Sequence, residues 1–331
     1  HPIYITVMEK LIELRKELHR YPELSGSEVA TAKRVKDFIL NHSNAEQPEV
    51  IEGLGHTGLA VVYRFSEVGP VVVIRCELDA LPIEEENDFE HRSVHDGISH
   101  KCGHDGHMAI LLDTARKVEE SKPQKGALHL VFQPAEETGE GARAMLDSGR
   151  LDSFNPDVIY ALHNIPGRPM GQILGTDGTF ACGSVGVQMD IQGKTSHAAH
   201  PEDAINPLIL AVTALDEILS LTAKKRVKGF ALATPVGLIS GDANFGTSPA
   251  DARLMVTLRA EHAEDLKYMM DETEAIARRM ASESGAKCRC GFVDYFPITK
   301  NPQLTDTLKK ACADVGVDFT RMEGPFRWSE D

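Results

Sequence analysis

Val71-Val72-Val73-Ile74-Arg75-Cys76-Glu77-Leu78-Asp79 sets a β-branched run directly ahead of two carboxylates. A continuous apolar run bounded upstream by Gly69-Pro70 reads as a strand buried on both faces, as in the sheets of α/β proteins. In such sheets ligands bind beyond the carboxyl ends of the strands, so Glu77 and Asp79 mark the end at which chemistry is expected. Two further runs repeat the arrangement. Leu128-His129-Leu130-Val131-Phe132 delivers Gln133-Pro134-Ala135-Glu136-Glu137, and Val158-Ile159-Tyr160-Ala161-Leu162 delivers His163. Leu59 to Tyr63, after a Gly53-Leu54-Gly55 turn, supplies another strand.

Helical spacing fills the intervals. Met8, Leu11, Leu14 and Leu18 form one amphipathic stripe that stops at Tyr21-Pro22, and Ser25 with Glu28 has the spacing of a capping box ahead of Val29, Ala32, Val35 and Phe38-Ile39-Leu40. Further helices are expected from Met108 to about Val118 and through Ala142, Ala144, Met145 and Leu151. Near residue 180 the pattern changes to strand 183–193, helix 208–221, strands 236–240 and 252–259, helix 263–281 and strand 286–293. That βαββαβ order is the order of a ferredoxin-like module. The expected organisation is an α/β domain over residues 1–179, the inserted module over 180–293, and a return to the first domain over 294–331.

Composition narrows the function classes. A chain of 331 residues suggests two cores. Its formal charge of −15 and its lack of a basic stripe argue against nucleic acid or an anionic membrane as partner. No apolar run approaches the ~18 residues of a membrane helix. His1-Pro2-Ile3-Tyr4 lacks the basic and apolar parts of a secretory leader, and the missing initiator Met points to trimming or an added remnant. Six cysteines are too sparse for a disulfide scaffold, which points to a reducing cytoplasm. Cys288-Arg289-Cys290 reads as two residues sharing one strand face.

The loop from Asp88 to His107 carries five histidines, at 91, 95, 100, 104 and 107. Within it Cys102-Gly103-His104, read as extended chain, projects a thiol and an imidazole to one side, the donor types that zinc-like ions favour. A single histidine at a strand end usually packs, and a lone Glu-Glu pair is usually a solvated turn. Here Cys102, His104, Glu137 and His163 arrive together from adjacent strand ends, and that coincidence indicates a metal site. His107 reads as a packing or supporting residue. In extended chain Glu136 and Glu137 point opposite ways, so one can ligate while the other acts as a base toward water, which describes amide hydrolysis without a covalent intermediate. No Gly-x-Ser-x-Gly elbow, P-loop or dinucleotide-binding glycine fingerprint offers another route.

Arg75 to Pro82, His100 to His107 and Phe132 to Glu137 together resemble the M20 metallopeptidase family, in particular its amidohydrolase branch of hippurate, N-acyl-amino-acid and indoleacetyl-amino-acid hydrolases. The resemblance runs from His19-Arg20-Tyr21-Pro22-Glu23 to Ser329-Glu330-Asp331. It implies a mixed sheet of zinc-exopeptidase type with a ferredoxin-like lid that forms a homodimer. It also implies two divalent ions (Zn, Mn, Co or Ni) on Cys102, His104, Glu137 and His163, with Glu136 as base and Asp79 orienting the site. His197 would stabilise the oxyanion, often across the dimer, and Asn244 and Arg259 would hold the substrate carboxylate. The implied substrate is a small N-acyl or N-aroyl amino acid. Glu77 departs from the family's Asp. The family's last ligand, a His, lies past the Ser-Glu-Asp stretch, so a sequence ending at Asp331 is expected to be a fragment or to carry an incomplete site. A rival expectation is an idle scaffold retained for binding or dimerisation, and a third is a redox sensor at Cys102.

Overall fold

Residues 2–43, 48–223, 225–301 and 305–331 are described by the structure, a computed structural model, and His1 lies outside them. Two units divide the chain, His1–Gly167 with Asp331, and Arg168–Glu330.

In the first unit the elements are α1 (Pro2–Arg20), α2 (Val29–His42), β1 (Glu49–Leu54), β2 (Gly58–Arg64), β3 (Glu67–Glu77), α3 (His104–Ser121), β4 (Lys125–Gln133), α4 (Gly141–Asp147) and β5 (Val158–Ala161). The strands form one mixed sheet in the order β1-β2-β4-β3-β5. β4, β3 and β5 run parallel to one another, while β2 pairs antiparallel with β4. Alternation along β2 explains why the sheet is covered on both sides. Leu59 and Val61 face a core made with α1, α2 and α3, whereas Ala60 and Val62 face a second core with Met145 and Phe154. From β3 the chain crosses to β4 on one side and later to β5 on the other. This strand order opens a crevice at the carboxyl ends of the three parallel strands.

Several local readings differ from the sequence expectation. β3 continues through Gly69-Pro70, because its pairing with β4 slips between Glu67 and Val71 and so admits a proline without a ladder donor. α3 starts at His104 rather than Met108, ahead of its apolar periodicity. α4 stops at Asp147, before Gly149 turns with φ +67°. No capping box forms at α2: Glu28 is the N-cap residue without a side-chain cap, and the Ser25 hydroxyl is donated elsewhere.

The second unit contains β6 (Ile173–Gly175), β7 (Gly178–Ala181), β8 (Gly183–Gln192), α5 (Pro207–Ser220), β9 (Ala231–Ser240), β10 (Asp251–Ala260), α6 (Ala263–Ser284), β11 (Lys287–Phe296), β12 (Thr299–Asn301), α7 (Thr305–Val315) and β13 (Phe319–Arg321). The sheet order β11-β8-β10-β9 with antiparallel neighbours is that of a ferredoxin-like module. One face, with Val185, Val187 and Met189 of β8 and Leu254, Val256 and Leu258 of β10, packs under α5 and α6. Local chemistry sets the helix ends. The Asn206 side chain accepts from Leu208 N (3.0 Å) ahead of α5, and Gly285 at φ +76° closes α6. The flanking segments pair with each other, β6 with β13 and β7 with β12.

A buried charge network fixes the loop between β3 and α3 in the first unit. His19 of α1 lies 2.9 Å through Nδ1 from Asp105 Oδ2 and 3.0 Å through Nε2 from Glu85 Oε2. Arg15 pairs with Asp105 (2.8 Å), and Lys101 donates to Glu85 (2.7 Å), as do Ser93 N (2.9 Å) and Asn87 Nδ2 (2.8 Å). Burial opposes ionisation of Glu85, yet these donors outweigh it and lower its pKa from 4.5 to about 2. A carboxyl with a depressed folded pKa stabilises the fold above pH 4.5 and loses that contribution as the pH falls through about 2. Urea midpoints measured across this window should fall less steeply in Glu85→Gln than in the parent, and parallel curves would refute the assignment.

Candidate metal centre

The donor cluster is assembled by the carboxyl ends of β3, β4 and β5 and the first turn of α3. Cys102-Gly103-His104 is not extended. Gly103 takes φ +92°, where a Cβ would meet Asn164 Oδ1 at 2.5 Å, so glycine is required both by the turn and by the contact. This bend still brings Cys102 and His104 together with His163, their donor atoms lying within 4.8 Å of one another.

Asp79 governs His104. It is fully buried, and its backbone carbonyl accepts a hydrogen bond from His104 Nδ1 (2.8 Å). A carbonyl can only accept, so in the neutral ring the lone pair resides on Nε2, aimed into the cluster. Nε2 is buried and has no nitrogen or oxygen hydrogen-bond partner among the described residues, yet it lies 3.7 Å from Glu137 Oε1 and 3.9 Å from oxygens of Glu136 and Glu77. Tetrahedral ligands on a zinc-like ion with bonds of about 2.0–2.3 Å are separated by roughly 3.3–3.8 Å, and by more where coordination is wider. These spacings and the mixture of sulfur, nitrogen and oxygen fit a divalent cation.

Electrostatics agree. Burial disfavours the His104 imidazolium, but Asp79, the Cys102 thiol and Glu77 outweigh it and hold its pKa well above 6.5. A cation at Nε2 competes with that proton. Burial likewise pushes the Cys102 thiol up; His104 opposes this, while the adjacent Glu137 adds to it.

Glu136 and Glu137 occupy a turn instead of extended chain, because Ala135 adopts φ +47°. Both carboxyls therefore approach His104, where opposite directions were expected. Their surroundings differ: Glu137 lies against Cys102, whereas Glu136 receives the Asp331 backbone N–H (3.3 Å) at Oε1. Asp79 Oδ2 accepts the Glu137 N–H (3.0 Å) and the Ser25 hydroxyl (2.7 Å), so one buried carboxyl steadies two parts of the cluster.

His107 supports the site from behind. Its Nδ1 lies 2.7 Å from Glu77 Oε2 and its Nε2 2.8 Å from Asn164 Oδ1, linking α3 to the loop that carries His163. Glu77, His104 and His107 form a second trio of metal-ligand type. Burial opposes ionisation of Glu77, but Arg75 and the two histidines hold its pKa at about 2. Arg75 also donates to Gln133 (2.7 Å) and to the Asp331 carbonyl (3.2 Å). Of the loop histidines, only His104 and His107 reach the cluster. His91 stacks on Phe89, His95 bonds the Pro22 carbonyl, and burial lowers the pKa of His100 to about 4.

Three predicted residues belong to the second unit. His197 is exposed, and its Nδ1 accepts from Ala199 N (3.1 Å), which puts the proton of a neutral ring on Nε2. Asn244 is exposed, its Oδ1 accepting from Gly246 N (3.1 Å). Arg259, half-buried on β10, donates to Ser329 Oγ (2.9 Å) and the Arg327 carbonyl (3.3 Å). Sequence reasoning missed Asn164, Asp331 and the role of Ser25, whose signal was absorbed by the capping-box spacing.

Comparison with known proteins agrees with this geometry. The model of peptidase family M20/M25/M40 matches residues 73–331. An N-acetylcysteine deacetylase of Bacillus subtilis is 29% identical over 317 residues, covering 95% of this chain and 82% of the relative. An N-acetyldiaminopimelate deacetylase of Bacillus pumilus is 32% identical over 314 residues, covering 93% and 81%. The crystal structure of the Bacillus subtilis YXEP protein, a dinuclear metal-binding peptidase of the M20 family, superposes with a TM-score of 0.78 at 27% identity, covering 98% of this chain and 84% of that one. The chain belongs to peptidase family M20/M25/M40 and is a metal-dependent hydrolase.

Proposed function

We propose that this chain hydrolyses the amide bond of small N-acyl or N-aroyl amino acids, releasing a carboxylic acid and a free amino acid. The observation that carries the reading is the convergence of Cys102, His104, His163 and Glu137 with a second carboxyl, Glu136, near one imidazole nitrogen. In this reading the first four hold one or two divalent ions, and Glu136 is left to handle protons. Bound there, the metal acidifies water and polarises the amide carbonyl. Glu136 takes the proton of the attacking water on a carboxyl oxygen and passes it to the departing amide nitrogen. Asp79 keeps His104 in the ligating tautomer through its carbonyl, and its side chain holds the Glu137 backbone. Names of relatives support an acylated amino acid as substrate, since two of them are deacetylases of N-acetylcysteine and N-acetyldiaminopimelate.

The second unit enters the proposal through three residues and one surface. The Nε2–H of His197 suits an oxyanion, and Asn244 and Arg259 suit the carboxylate of the amino-acid product. We assign residues 180–293 to the lid and to homodimer formation, with 1–179 and 294–331 as the two parts of the catalytic domain. Support for the dimer comes from exposed Ile209 and Val212 on α5 and Val236 and Ile239 on β9, an apolar set on a helix and an edge strand. Six free cysteines suit a reducing cytoplasm, and no helix among the described residues is long and apolar enough to cross a membrane.

Glu136→Gln tests the mechanism. With N-acetyl-L-cysteine, N-acetyldiaminopimelate and hippurate as probes, kcat should drop by about 10²–10⁴-fold while metal content stays at the parent level. Parent activity in this variant would remove Glu136 as the base.

A further inference from the structure

We infer that Glu28, more than a hundred residues before the site in sequence, is a positioning residue for the Glu136–Glu137 pair; this rests on the reading of that pair given above. Glu28 is fully buried at the start of α2, and each of its carboxyl oxygens is engaged. Oε1 accepts the backbone N–H of Ala135 (2.8 Å) and of Gly26 (2.9 Å), and Oε2 accepts the Thr57 hydroxyl (2.7 Å).

Ala135 is the residue that most needs holding. It sits at φ +47°, a left-handed conformation that the Cβ of any L side chain disfavours. Its dihedral angles set the direction of the following peptide and thereby aim both carboxyls at His104. Its carbonyl is also tied, by Gly141 N (3.0 Å), and a Cβ on Gly141 would lie 1.6 Å from the Pro134 carbonyl oxygen. Glu28 thus holds the N–H side of a strained residue whose C=O side is held by a glycine contact. Two residues on, Asp79 takes the Glu137 N–H, and Asp79 is itself bonded by Ser25 of the same short segment. The Ser25–Glu28 segment therefore holds the turn at two points, Ala135 directly through Glu28 and Glu137 through Ser25 and Asp79. Without the clamp at Ala135, its backbone can relax to negative φ and swing the carboxyls away from the cluster.

Three substitutions separate this role from simple support of the fold. Glu28→Asp keeps the acidic group but withdraws it by one methylene from Ala135, Glu28→Gln keeps an acceptor in place, and Thr57→Val removes only the bond to Oε2. Hydrogen exchange at the Ala135 amide, read in the protein without added metal, reports the clamp independently of activity. In Glu28→Asp we expect exchange to accelerate by about tenfold or more and kcat to fall about 100-fold, with KM within about threefold of the parent. Glu28→Gln should stay within about fivefold of the parent in both readouts, and Thr57→Val should lower the thermal midpoint while changing neither. Parent exchange and kcat in Glu28→Asp, or a kcat loss that follows the thermal midpoint across all three variants, would overturn the inference. If Glu28→Asp does not fold, the parent protein decides, because an Ala135 amide that exchanges as fast as an unstructured peptide also overturns it. Full activity in Glu136→Gln would count against the proposed function alone, leaving the exchange measurement to judge the clamp.

Discussion

The hydrogen bond from His104 Nδ1 to the Asp79 carbonyl is the constraint on which the site depends. It joins the carboxyl end of a central parallel strand to the first residue of the helix that follows the long loop. In doing so it selects the tautomer whose lone pair faces Cys102, His163 and the two glutamates. A free imidazole interconverts between tautomers and loses rotamer freedom only when held, so one backbone acceptor turns a buried histidine into a directed donor. The surrounding groups are consistent with that role. Nε2 is buried within 4 Å of three carboxyls, an arrangement that is costly without a proton or a cation to balance it.

Layers of buried polar contacts hold this centre from outside. Arg75 and Glu77 of β3 and His107 of α3 brace it, and Asn164 ties the His163 loop to α3. His19, Glu85 and Asp105 secure the loop that leads into Cys102. Such networks contribute less to net stability than equal areas of apolar core, because each charge must be desolvated. Their effect is to fix geometry, and the apolar packing of α1, α2 and α3 on the sheet supplies the bulk of the stabilisation.

How far the sequence reached depended on whether a residue's role was set locally. β-branched runs ending in Glu77, Glu136 and His163 displayed the α/β sheet and the end that carries chemistry, because burial on both faces demands continuous apolar strands. The alternation from Gly183 to Gln192 displayed the second module by the opposite pattern, one face buried under helices and the other less so. Cys102 and His104 were legible as donor-type side chains, but their backbone was not: Gly103 turns left-handed against Asn164, a residue distant in sequence that leaves no room for a Cβ. Glu136 and Glu137 were expected to diverge and instead converge, since the left-handed Ala135 is held by long-range contacts. Ser25 and Glu28 had the spacing of a local cap, and tertiary hydrogen bonds claimed both side chains. Local pattern therefore reported element type and the donor-type residues, whereas their aim and support came from partners across the fold.

The most direct test of the central claim is an anomalous difference map from crystals of the protein grown with zinc. A peak is expected about 2.0–2.3 Å from the donor atoms of Cys102, His104, Glu137 and His163, with Glu136 near the peak but outside bonding distance. A peak bound only by Glu77 and His107, or zinc bound with His104 Nε2 outside its coordination sphere, would contradict it.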